Sequence, residues 1–324
     1  MNSESWRKPF RLRLVYAMEL RERDGIWYLD SQTPTCTLSY KVKRVLFAGE
    51  TRYQRVEVVE TYDYGKCLII DGKIQSSTSD EWIYHEALVH PAMVSHPKPL
   101  RVLVVGGGEG ATLREVLKHP SVQETVMVDF DEEIIKVVKR YMAELPKGSF
   151  ENPKVKLYFE DGRRFLEEQP DESFDVIIVD VTDPLEGSPS IPLYTQEFYE
   201  AARAKLTVEG LIVTQASPLY YNLDCHTRIY RTMAGIFPVA CSYRADVPSY
   251  VSSWGFVVGS KVPDPAALTP EEVNGRLAER EIKDLKFYDG LTHRAMFTQP
   301  KHIRKALEAE ESVSTDNNPV FMPI

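Results

Sequence analysis

Leu100-Arg-Val-Leu-Val-Val-Gly-Gly-Gly-Glu-Gly-Ala-Thr112 decides the fold. An apolar run with strand character enters three glycines, and a helical pattern follows. Glycines at such a turn leave bare backbone for close approach, and the helix behind them offers unpaired N–H groups. Outward from this segment, strands and helices alternate. Strands are predicted over 102–105, 125–128, 155–159, 176–179 and 211–214, and helices around 111–118, 131–144, 162–168, 195–205 and 224–236. Near-continuous apolar strands alternating with helices mark a parallel α/β sheet of Rossmann-like type, covered on both faces. Segments near 239–247 and 254–260 are candidate antiparallel edge strands. Residues 261–310 are charged and partly helical, and the tail around Asn317-Asn-Pro319 carries no signal.

Upstream the period changes. Residues 1–80 offer short β-rich pieces at 12–18, 26–29, 40–47, 54–61 and 67–70, separated by turn signals such as Ala48-Gly-Glu50 and Asp71-Gly72. They predict a small antiparallel β-domain over 1–80, ahead of a catalytic α/β domain over 81–324. Between Ser79 and His96 the pattern is helical. Ser79 is the expected cap, and the Pro-rich Ser95-His-Pro-Lys-Pro99 the expected stop.

At 324 residues, 43% of them hydrophobic and 27% charged, the chain can bury a large core. Its formal net charge of −9 disfavours nucleic-acid and anionic-membrane surfaces as partners. No apolar run approaches the roughly 18 residues of a membrane span, and the N-terminus lacks the apolar core of a signal peptide. Cys36, Cys67, Cys225 and Cys241 are scattered, without metal-ligand spacing or a disulfide framework. A cytoplasmic protein with no bound metal is expected.

In an open α/β sheet, ligands sit beyond the carboxyl ends of the strands. Acidic residues fall at successive ends here: Glu109 within Gly106-Gly-Gly108-Glu-Gly110, then Asp129, then Asp161-Gly162, then Asp180. Asp129 lies about twenty residues after the glycines, the spacing of a carboxylate that accepts ribose hydroxyls. Any one of these aspartates suits a helix cap, but the series predicts an adenine-ribose site. Gly106-x-Gly108-x-x-Ala111 by itself also satisfies a loose dinucleotide pattern. Asp180-Val-Thr-Asp183-Pro pairs two carboxylates, either as a turn or as a clamp for a cation.

With Gln75, Tyr84 and His85 upstream and Pro248-Ser-Tyr250-Val-Ser-Ser-Trp254 downstream, the chain resembles the polyamine aminopropyltransferases, the spermidine synthase family. The resemblance runs from about Gly25 to Gly259 in that family's order, through Arg52-Tyr-Gln54, Leu68-Ile-Ile-Asp71-Gly72, the Tyr84 helix, the glycine loop, Asp161-Gly162, Asp180-x-x-Asp183-Pro and Pro248-Ser-Tyr250. It implies a small N-terminal β-domain on a methyltransferase-type sheet, assembled as a homodimer or homotetramer. It also implies transfer of an aminopropyl group from decarboxylated S-adenosylmethionine to an amine. That donor is a co-substrate, so no resident cofactor is implied.

By position, the resemblance assigns Gln54, Gly106, Gly108, Glu109, Asp129, Asp161 and Gly162 to the donor. Glu109 would meet the propylamine, Asp129 the ribose and Asp161 the adenine amino group. Asp180 becomes the catalytic carboxylate with Tyr84 beside it, and Gln75, His85, Asp183 and Tyr250 fall to the acceptor side. His85 departs from the Gln common there, so a structural hydrogen bond is its favoured reading, and Trp254 reads as core. Glu109, Asp129 and Asp180-Val-Thr-Asp-Pro-Leu-Glu186 depart from the spermidine synthase pattern. The segments 213–218 and 248–256 look more like thermospermine synthases, which use spermidine as acceptor; Glu186 is either one more carboxylate for a distal amine or, the preferred reading, a surface-loop residue.

The chemistry is consistent on its own terms. An amine of pKa about 10.4 is protonated at neutral pH, so a carboxylate must orient it and take its proton during attack. The leaving thioether is neutral and needs no metal. Three rival classes share part of the pattern. A methyltransferase shares the nucleoside site but leaves Asp180, Asp183, Tyr84 and Tyr250 unexplained, and an NAD-dependent dehydrogenase shares only the loose glycine pattern. A non-catalytic polyamine regulator would lack Asp180.

Overall fold

A computed structural model describes residues 25–322. The predicted strand at 12–18 lies outside the described residues. Five antiparallel strands form the first sheet in chain order: β1 (Ile26–Thr33), β2 (Cys36–Glu50), β3 (Arg55–Thr61), β4 (Lys66–Ile70) and β5 (Lys73–Ser77). β3 alternates buried and less buried residues, as a half-buried strand should. Register shifts at Val42/Arg44 and Val45/Phe47 bend the long β2. The two-residue turn Asp71-Gly72 closes β4 onto β5. β5, polar in sequence (Lys-Ile-Gln-Ser-Ser), was not predicted.

The second sheet has seven strands in the order β11-β12-β10-β9-β6-β7-β8. These are β6 (Arg101–Gly106), β7 (Glu124–Val128), β8 (Val155–Tyr158), β9 (Phe174–Asp180), β10 (Leu206–Pro218), β11 (Val239–Val247) and β12 (Ser252–Ser260). β6 to β10 run parallel, while β12 pairs antiparallel with β10 and with β11. Strand parity sorts the core. Val102, Val104, Val176 and Ile178 face α1 (Glu81–Ser95), α2 (Ala111–Leu117) and α3 (Glu132–Tyr141). Leu103, Val105, Ile177 and Val179 face α4 (Gly162–Glu167), α5 (Gln196–Lys205) and α6 (Leu223–Ala234).

α1 joins the two sheets. Every residue in it except Trp82 is buried, the mark of a helix enclosed on all sides. Its N-cap is Asp80 and not Ser79, and the Asp80 side chain makes no cap bond. That carboxylate instead accepts Ser77 Oγ at 2.6 Å, Ser249 N–H at 2.6 Å and Ser249 Oγ at 2.9 Å, tying the first sheet to the second. Pro91 lies inside the helix and cannot bond to the carbonyl of Ala87. Tyr243 Oη donates to that carbonyl at 3.0 Å, so the interior proline leaves no orphan.

At the other end of α1, Arg276 donates to the carbonyls of Val94 and Ser95, and Arg280 to those of Met93 and His96, all within 3.0 Å. These arginines sit on and just after α7 (Pro270–Glu279) and satisfy the open carbonyls of the last turn. α8 (Gly290–Phe297) and α9 (Lys301–Ala309) follow. The tail then returns, with Met322 bridging Leu185.

The chain builds β6, β7 and β8 outward on one side, then comes back to place β9 on the other side of β6. The loops after β6 and β9 therefore part at the switch point, where open α/β sheets bind ligands. Gly106 and Asp180 are register partners there, and Gly107 N–H donates to the Asp180 carbonyl at 2.8 Å.

Candidate active site

A cavity of about 380 Å³ opens at the carboxyl ends of the parallel strands, walled on one side by the first sheet. It is lined by Gln54, Gly106, Gly108, Glu109, Asp129, Asp161 and Gly162, the donor-side expectations. The acceptor-side expectations Gln75, Tyr84, Asp180, Asp183 and Tyr250 line it too. His85 does not, which corrects its place on the acceptor side and agrees with the structural hydrogen bond favoured for it. Its ring is buried behind Glu109.

Asp180 is held on both oxygens. Tyr84 Oη donates to Oδ1 at 2.9 Å and Thr112 Oγ1 to Oδ2 at 2.5 Å. Burial and the neighbouring Asp180 push the Tyr84 phenol well above its usual range, so it stays a neutral donor. Tyr250 packs edge-on against Tyr84 with ring centroids 5.9 Å apart, and its hydroxyl donates to the Gln75 carbonyl. Trp254 lies against Tyr250 at 4.7 Å and lines the cavity, so it is not simply core. Trp254 Nε1 donates to Gln215 Oε1 at 3.1 Å, and Gln215 Nε2 donates to Asp183 Oδ1 at 3.2 Å. Gln215 lies within the segment 213–218 singled out in the sequence, but it was given no role there, since a buried amide shows its function only through the partners it meets.

Glu109 is backed by a buried polar chain. Its carboxylate meets His85 Nε2, and His85 Nδ1 meets the Glu81 carbonyl at 2.6 Å and Glu81 Oε2 at 2.9 Å. Arg114 forks onto Glu81 at 3.0 and 2.7 Å. Burial disfavours the His85 imidazolium, yet Glu109 and Glu81 on its two nitrogens hold its pKa well above that of a free imidazole. His85 thus fixes the position of Glu109 and touches no cavity surface.

Other donor-side groups are braced across the two sheets. Gln54 Nε2 and Thr51 Oγ1 both donate to Asp131 Oδ2, at 2.8 and 2.7 Å, and Asp131 caps α3. Asp129 accepts the Asp131 N–H at 2.8 Å. Asp161 accepts the Arg164 N–H at 2.8 Å as the cap of α4, so the cap and cavity readings both hold for it. Glu186 is exposed and outside the cavity lining. Three residues unforeseen in the sequence do line it: Asp30, Lys73 and, from the tail, Met322.

Asp129 and Asp183 are each pushed up to about 6, chiefly by burial. The folded chain holds these protons more tightly than the unfolded chain does. Ionisation therefore weakens the native state as pH rises from about 4 to about 6, and the penalty persists above that. A bound cation relieves it. Asp183→Asn is expected to stabilise the protein at pH 7.5 by up to about 3 kcal/mol while weakening cation binding. Urea unfolding checks this: the gain should grow between pH 4.5 and 6.5 and then level. A gain independent of pH would sink the assignment.

Among the described residues no helix is long and apolar enough to cross a membrane. No group of three or more His, Cys, Asp or Glu side chains there is placed to hold a metal ion.

This fold and cavity have known counterparts. The family model of the spermine/spermidine synthase domain matches residues 81–267, and that of the spermidine synthase tetramerisation domain matches residues 26–78. The polyamine aminopropyltransferase of Sulfurisphaera tokodaii is 46% identical, over 92% of this chain and 98% of its own. Polyamine aminopropyltransferase 2 of Hyperthermus butylicus is 44% identical, over 88% and 93%. The crystal structure of Thermotoga maritima spermidine synthase superposes with a TM-score of 0.81 at 32% identity, covering 89% of this chain and 96% of that one. A spermidine synthase in complex with the transition-state analogue AdoDATO gives 0.83 at 32% identity, over 89% and 97%. The chain belongs to the spermine/spermidine synthase family.

Proposed function

We propose that this protein is a cytoplasmic, homo-oligomeric aminopropyltransferase without a resident metal or cofactor. It moves the aminopropyl group of decarboxylated S-adenosylmethionine onto spermidine, giving thermospermine and methylthioadenosine. The observation that carries the reading is Asp180. It stands where the glycine-loop half of the cavity meets the Tyr250–Asp183 half, with Tyr84 and Thr112 fixing its two oxygens. The family membership of the chain supports the reaction class. The match of residues 26–78 to a tetramerisation domain supports the homo-oligomer.

In this mechanism the amine nitrogen attacks the carbon beside the sulfonium. A C–N bond forms as the C–S bond breaks, and the bonding pair leaves on sulfur as a neutral thioether. The acceptor enters protonated, so one proton is released, collected by Asp180 and passed to solvent. Holding nitrogen and carbon in line supplies most of the acceleration. Glu109, set by His85, takes the donor's ammonium, and Asp129 takes the ribose.

The finer assignment, spermidine to thermospermine, rests on the segments 213–218 and 248–256. Products are to be separated after putrescine, agmatine, norspermidine and spermidine are each offered with decarboxylated or intact S-adenosylmethionine. The expected result is methylthioadenosine from the decarboxylated donor alone, with spermidine giving a tetraamine that separates from spermine. A triamine from putrescine alone would make the protein a spermidine synthase. Methylation by the intact donor would overturn the reaction class.

A further inference from the structure

The one buried residue of β1 is a carboxylate. Asp30 is 4% exposed, while every other residue of that strand is partly or fully open. It lines the cavity, and among the described residues none donates a hydrogen bond to its Oδ1. Among the described residues its ion-pair partner is Lys73 Nζ, 3.6 Å away, beyond the roughly 2.7–2.9 Å of a charge-assisted hydrogen bond. Burial raises the pKa of Asp30, and Lys73, the Ile74 N–H and the Gln32 side chain pull against the rise. A buried carboxylate with an unused oxygen is destabilising and calls for an explanation. Ile74 on β5 and Gln32 on β1 supply hydrogen bonds to the carboxyl group, but neither carries a charge to balance it, and its register partner on β2 is Leu38.

The topology explains the meeting with Lys73. β1 and β5 are the two edges of the first sheet, and the ion pair between Asp30 and Lys73, the first residue of β5, brings those edges together. On the opposite wall, Asp183 feels both groups: Lys73 lowers its pKa and Asp30 raises it. Among the described residues, one end of the cavity thus holds two carboxylates and one ammonium.

We propose that Asp30 is the length-determining residue for the acceptor: it receives the distal ammonium of a polyamine whose reacting amine lies at Asp180, and Lys73 is the resident counter-ion which that ammonium displaces. This rests on the aminopropyl-transfer reading. The lysine stem is flexible and its side chain 21% exposed, so Nζ can turn to water when a ligand cation replaces it. A diamine that fills only the Asp180–Asp183 segment leaves the Asp30–Lys73 pair intact.

The test is calorimetric titration of spermidine and of putrescine into the parent, Asp30→Asn and Lys73→Gln, each with methylthioadenosine present. Asp30→Asn is expected to weaken spermidine at least about tenfold and putrescine less than about twofold. Lys73→Gln is expected to act in the opposite direction, tightening spermidine roughly three- to tenfold by removing the competing cation. Asp30→Glu should retain most of the spermidine affinity, which keeps the question open to test if the Asn variant folds poorly. Equal weakening of both amines, the same direction in both variants, or no polyamine binding by the parent would overturn the assignment. Spermidine binding that depends on Asp30, without methylthioadenosine release from the decarboxylated donor, would sink the transferase reading and leave Asp30 standing.

Discussion

Asp180→Asn is expected to lower kcat for methylthioadenosine release by about 10²–10⁴-fold, with donor affinity changed less than about twofold and the fold intact. The local bonds explain why the effect should be so selective. The amide is isosteric, and its oxygen still accepts from Tyr84 Oη, as Oδ1 does at 2.9 Å. The amide nitrogen then donates to Thr112 Oγ1, reversing a bond that Thr112 now donates at 2.5 Å. A hydroxyl serves either role, so no buried polar group is stranded. What disappears is the negative charge to which the proposed mechanism gives the orienting of a cationic amine and the collection of its proton. Tyr84→Phe removes one brace and keeps that charge, so its loss should be smaller. Rapid-quench kinetics on Asp180→Asn, with donor titration on the same sample, decides the matter. Turnover within tenfold of the parent would remove Asp180 from the proton path.

How much of this was legible in the sequence follows from where each side chain finds its partners. The parallel strands were visible because burial on both faces demands continuous apolar runs, and their acidic ends were visible because chain order puts a loop after each. α1 was visible as a helix despite Pro91, though its start was misread. Ser79 has the chemistry of a cap, but Asp80 occupies the cap position and spends its carboxylate on Ser77 and Ser249. β5 was invisible because a strand beside a polar cavity carries Gln and Ser where a core strand carries Val and Ile. The site roles of Asp30, Gln215 and Met322 were invisible for a different reason. Each becomes part of the site only through a partner far away in the chain, and nothing at its own position marks it. His85 could be seen but not placed, since a histidine that touches the ligand and one that holds the residue touching it look alike in sequence.

Gly106→Ala carries the largest expected loss of stability, and a second glycine shows why. Gly106 has φ +81°, and a Cβ there would lie 2.2 Å from the Asp180 carbonyl oxygen and 2.7 Å from Val181 Cγ1. Gly148 has the same φ with nothing within 4 Å of its Cβ position. Alanine at Gly148 therefore meets only the left-handed backbone penalty, about 1–2 kcal/mol. Alanine at Gly106 meets that penalty plus a collision with main chain, which cannot yield by changing rotamer and which the Gly107 N–H holds in place at 2.8 Å. Overpacking of this kind adds about 1–3 kcal/mol, for a total of about 2–5 kcal/mol, a large share of a typical folding free energy. The backbone that must move carries Asp180 itself, so activity should fall with stability at Gly106 and stay at the parental level for Gly148→Ala. Urea unfolding and initial rates on the two variants measure both quantities. Equal destabilisation with activity retained in each would mean that the glycine loop is shaped by its own backbone preferences and not by the strand end it packs against.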